Sequence, residues 1–111
     1  EQITLPYQDF AGMNASLELL EELGHRAVSE HVEALAGEIV RCADAAQLGI
    51  VTPREGARRA GIVSVRPPDP TGASGRLKKA GVVHSLREGA IRLSPHIYNT
   101  ADDIRKTFEL I

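Results

Sequence analysis

The stretch Val82 to Ile104, VVHSLREGAIRLSPHIYNTADDI, holds two apolar runs around a turn, followed by a helix start. Val82–Leu86 and Ala90–Ser94 flank Arg87, Glu88 and Gly89, which reads as a tight hairpin of two antiparallel strands. Side chains alternate along a strand, so Ile91 and Leu93 share one face while Arg92 shares the other with Ala90 and Ser94. Thr100 with Asp103 has the spacing of a capping box, Asp standing in for Glu, and Ile104, Phe108 and Ile111 then form the buried face of a last helix.

Upstream of the hairpin, Asp69 is a helix cap followed by Pro70, a proline tolerated in the first turn, and Ala73, Leu77 and Ala80 make a thin apolar stripe up to Gly81. Ile50-Val51 and Gly61–Val65 are short β-branched runs bounded by Pro53, Gly56, Pro67 and Pro68, and read as strands. Nearer the N-terminus, Asp9 is placed to cap a helix whose apolar residues Phe10, Met13, Leu17 and Leu20 recur at helical spacing, with Gly24 as its stop. A second helix runs from His25 with Val28, Val32, Leu35, Ile39, Cys42 and Ala46 on one face, ended by Gly49. The order is α-α-β-β-α-β-β-α. It implies an α+β fold, a small mixed or antiparallel sheet with helices packed on one face.

The chain has 111 residues, with 13 Lys and Arg against 15 Asp and Glu and a formal charge of -2. With 42% hydrophobic residues it can bury one core, so residues 1–111 are expected to form a single domain. No apolar run approaches a membrane span, and the start lacks the basic and apolar blocks of a signal peptide. The charge balance offers no basic stripe for nucleic acid. Cys42 stands alone and cannot form an internal disulfide, which fits a reducing, cytoplasmic setting. The first residue is Glu rather than Met, so the expectation is a processed chain or a part of something longer.

Few residues invite chemistry. His25, His31, His84 and His96 are spread over two helices, a strand and a loop without the i, i+4 pair of a helical zinc site, so no metal is expected. Cys42 falls on an apolar helical stripe, where a thiol behaves as a small hydrophobe. Gly72-Ala-Ser-Gly75 lacks both the spacing and the preceding strand of a phosphate loop. Arg58-Arg59 reads as solvated surface. Arg92 differs, because Ala90 and Ser94 leave room around a planar fork of donors that suits a carboxylate. Solvent exposure or a structural ion pair fits the same pattern.

Ile91–Ile104, IRLSPHIYNTADDI, resembles the C-terminal signature of the class V aminotransferase family of pyridoxal-phosphate enzymes, R-x-S-x-x-x-Y-N-T-x-x-D-I. The segments AGIVSVRPPDP (60–70), LKKAGVVHSLREG (77–89) and FAGMNASLELLEELG (10–24) are similar to the preceding elements of that family's small domain. The resemblance implies the C-terminal domain of a longer, fold-type I enzyme acting on an amino acid, with pyridoxal phosphate held by a large domain and a homodimer expected at full length. It also implies that Arg92 holds the substrate α-carboxylate. No residue of this chain is assigned to catalysis or to the cofactor: Lys78, Lys79 and Lys106 are its only lysines, all on helices among charged neighbours, so the chain alone is expected to be inactive. Desulfurases of the family carry a cysteine shortly before the arginine, and Ser85–Ala90 has none. Aminotransferase, lyase and racemase chemistry stay open, as does a free-standing α+β binding or dimerisation module without cofactor.

Overall fold

The structure, a computed structural model, describes residues 5–111. The described residues divide into two units, the first ending at Glu30 and the second running from His31 to Ile111. In the first, α1 spans Tyr7–Leu23. Its ladder starts at the Pro6 carbonyl, which accepts from Phe10 N at 3.1 Å. Asp9 therefore lies inside the first turn and is not the cap. Proline has no N–H to leave unpaired, so it sits readily ahead of the turn, and Asp9 still complements the helix dipole there. None of the α1 residues is buried, and Phe10, Met13 and Leu17 are exposed. Gly24, at φ 82, ends the helix as expected.

The next helix, α2, is His25–Ala45, and its part beyond Glu30 belongs to the second unit. Leu35, Ala36, Ile39 and Ala43 are its buried stripe, with Cys42 beside them. The stop is Gln47, not Gly49: Gln47 takes φ 56, and Leu48 N reaches back to Ala43 O at 2.8 Å, closing the terminal carbonyls. Gly49 instead opens the strand β1, Gly49–Ile50.

Three further strands follow: β2 Val63–Arg66, β3 Ser85–Arg87 and β4 Ala90–Leu93. Two helices accompany them, α3 Pro70–Lys79 and α4 Ala101–Phe108. The sheet order is β1-β2-β4-β3 and every pairing is antiparallel. The sequence reading thus matches the element order while strand ends shift. β2 runs to Arg66, and Val82–His84 precede β3 instead of belonging to it. The hairpin turn is the pair Glu88-Gly89, at φ 50 and 73, the doubly positive geometry of a type I′ turn, so Arg87 is a strand residue paired with Ala90.

Both helix starts after residue 65 are capped as their sequences dictate. Asp69 Oδ1 accepts from Gly72 N at 2.9 Å, and Thr100 and Asp103 exchange side-chain to backbone bonds at 3.2 and 2.8 Å. Val63, Val65, Ile91 and Leu93 on one sheet face meet Leu35, Ile39, Leu77 and Ile104 from the three helices. Ile39, Leu77 and Ile91 are fully buried, and each contributes about 1.5–3 kcal/mol of hydrophobic stabilisation. The opposite sheet face carries Ser64, Arg66, Arg87 and Arg92.

Candidate anion-binding face

Arg92 lies on the sheet face opposite Ile91 and Leu93. Its strand β4 is central, paired on one side with β2 (Ser64 opposite Arg92) and on the other with β3 (Ser85 opposite Arg92). Ladders on both sides fix the backbone, and two serines leave lateral room for the guanidinium. Arg92 is half-buried. Among the described residues no carboxylate lies within ion-pair distance of it.

Period-2 alternation puts Arg66 on the same face as Ser64, and Arg87 on the same face as Ser85. Both arginines join Arg92, Ser64 and Ala90 around a depression of about 250 Å³, whose rim also includes Glu88. Ala90, 5% exposed, is its floor. The sequence reading missed Arg66 and Arg87. The signal was the repeated Ser-x-Arg of Ser64–Arg66 and Ser85–Arg87, hidden by ending β2 at Val65 and placing Arg87 in the turn.

Other signature residues serve the architecture. Asn99 Oδ1 accepts from His96 N at 2.9 Å, Asn99 N donates to His96 O at 3.0 Å, and the Asn99 carbonyl meets His31 Nε2 at 3.0 Å. Tyr98 and Asn99 line a separate cavity of about 620 Å³ with Val83, Asp103 and Lys106, so Arg92 and the Tyr-Asn pair do not share one pocket. His84 donates from Nδ1 to the Val82 carbonyl and bonds Ser74 Oγ through Nε2, which makes it a structural residue. Among the described residues no group of three His, Cys, Asp or Glu could hold a metal. No described helix is long and apolar enough to cross a membrane.

Titratable groups outside this face are perturbed for local reasons. Burial, and then the charge of Glu38, pushes the Cys42 thiol above its ordinary value. Hydrogen bonding to Asp102 raises the Lys106 ammonium, the two groups lying 2.7 Å apart. Lys78 and Lys79 are exposed at the end of α3. A Schiff-base lysine must be desolvated to lose its proton, so none of these three exposed lysines fits that role toward pyridoxal phosphate.

A family described as the kynureninase C-terminal domain matches residues 25–111. The uncharacterized aminotransferase YcbU of Bacillus subtilis (strain 168) is 33% identical over 98 residues, 87% of this chain and 26% of that protein. An apo cysteine desulfurase from Thermococcus onnurineus NA1 has the same fold, with a TM-score of 0.91 at 18% identity over 99% of this chain and 31% of its own. So does a NifS-like protein, with a TM-score of 0.80 at 22% identity over 97% of this chain and 33% of its own. The chain thus spans about a quarter to a third of these relatives. With its α-α-β-β-α-β-β-α order and antiparallel sheet, the chain belongs to the kynureninase C-terminal domain family, within the class V aminotransferase group of pyridoxal-phosphate enzymes.

Proposed function

We propose that this chain is the C-terminal domain of a longer pyridoxal-phosphate enzyme acting on an amino acid, and that Arg92 holds the α-carboxylate of the substrate. The carrying observation is a half-buried guanidinium on a central strand, between two serines, with no carboxylate partner among the described residues. A planar fork held this way meets a carboxylate with two parallel charged hydrogen bonds. The relatives' greater length supports a large domain of the same polypeptide as cofactor holder and partner. In this reading the full-length enzyme is a cytoplasmic homodimer.

The test compares an amino acid with its decarboxylated amine in the full-length enzyme, before and after Arg92→Ala. Loss of a charged bidentate pair lowers kcat/KM for the acid by roughly ten- to a hundredfold and leaves the amine unchanged. Arg92→Lys restores little of the loss, because an ammonium cannot reproduce the fork. Equal effects on both compounds would make Arg92 a structural residue.

A further inference from the structure

Of the ten arginines in the chain, seven have partners among the described residues. Arg59 and Arg76 donate to backbone carbonyls, and five others pair with carboxylates. The remaining three are Arg66, Arg87 and Arg92, and all three line the depression on the sheet face opposite the core. Arg87 stands directly across from Ala90 on β3. Continuing the β2–β4 register one step beyond Val65 and Ile91 sets Arg66 across from Ala90 on the other side. Arg92 is two residues further along β4. Diagonal neighbours in such a ladder are roughly 7–8 Å apart, and Arg66 and Arg87 are about 10 Å apart, two strand spacings. These are backbone spacings, and they bring three arginine positions onto one depression, where Glu88 is the only lining carboxylate among the described residues. Like charges so placed repel, and a bound anion relieves the repulsion.

A single α-carboxylate occupies one fork and leaves two positive groups uncompensated. We infer that Arg66, Arg87 and Arg92 together bind a ligand carrying two anionic groups, so that the substrate is an amino acid whose side chain ends in a carboxylate or a phosphate. The inference deepens the proposed role of Arg92 and rests on it. Arg92, half-buried on the central strand, takes the α-carboxylate. Arg66 and Arg87, exposed on the flanking strands, reach the distal group from both sides of Ala90. Two arms on separate strands close on a group projecting outward from the floor.

The experiment uses the full-length, cofactor-loaded enzyme and measures dissociation constants calorimetrically for propanoate, succinate and 3-phosphonopropanoate. The two dianions should bind roughly ten- to a hundredfold more tightly than propanoate. Whichever binds more tightly identifies the distal group. Arg66→Gln with Arg87→Gln should erase that advantage and leave propanoate binding in place. Arg92→Ala should weaken all three ligands. A wild-type preference near one, or a preference that survives the double substitution, overturns the two-anion inference while leaving Arg92 as a carboxylate anchor. Propanoate binding unaffected by Arg92→Ala overturns the anchor itself, and the inference with it. If the double variant loses thermal stability and keeps the full preference for dianions, the two arginines belong to a contact within the polypeptide and the inference fails.

Discussion

Ser74 Oγ stands 2.8 Å from His84 Nε2, joining a buried position in α3 to the segment that leads into β3. The other ring nitrogen, Nδ1, is 2.9 Å from the Val82 carbonyl, which only accepts, so Nδ1 donates there while Nε2 bonds the serine hydroxyl. The pair fixes Val82–His84 although those residues have no strand partner. Ser74→Ala is expected to cost about 1 kcal/mol in urea denaturation. His84→Ala should then cost less in the Ser74→Ala background than in the wild type. Additive costs would show that the two side chains do not cooperate.

Gly61 marks a close approach to α2. A Cβ there would lie 2.3 Å from Val32 Cγ1, and valine has little torsional freedom with which to yield. Gly61→Ala should destabilise the chain by about 1–3 kcal/mol, and adding Val32→Ala should recover part of that loss. A fully tolerated Gly61→Ala would remove this contact from the packing account.

Glu38 ties α2 to α4, with Arg41 Nε at 3.0 Å and Arg105 at 3.1 Å. The hydrogen bond from Arg41, with help from Arg105, holds the carboxyl below its ordinary value of 4.5. A depressed carboxyl stabilises the fold fully above 4.5 and loses that contribution as pH falls through its folded value. Because both arginines face solvent, the contribution is about 0.2–1 kcal/mol per pair. Glu38→Gln should lower stability at neutral pH and flatten the acid limb of the stability curve below pH 4.5. Parallel curves for the two proteins would contradict this.

Cys42 should label slowly in the native state, because burial raises its thiol and only the thiolate reacts. A maleimide rate at least about tenfold below that of the denatured chain, and still climbing past pH 9, is the expected result. Sulfide release from cysteine by the full-length enzyme, abolished by Cys42→Ser, would assign this residue to catalysis.

Local chemistry was the legible part of this fold. Asp69, Thr100 and Asp103 carry their capping bonds within three residues, and Gly24 and Gly89 take the positive φ values that turns demand. Helix and strand ends set by tertiary context were harder. Gln47 stops α2 with no sequence signal, and the apolar residues Phe10, Met13 and Leu17 of α1 recur at helical spacing yet are exposed. Arg92 was readable because β4 was placed correctly at that position. Arg66 and Arg87 were not, since each sits at a strand terminus and a boundary error of one residue removes it from the alternation that defines its face.

The sheet order has a consequence for synthesis. β4 fills the slot between β2 and β3, yet it is the last strand to leave the ribosome. Until Leu93 has emerged, Val63–Arg66 offers one edge without its final neighbour, and its alternating valines would template pairing with another nascent chain. Arg66 at the end of that edge is a gatekeeper charge during this interval. The same guanidinium that lines the depression on the folded sheet is thus also a charge on the edge that an unfinished sheet exposes.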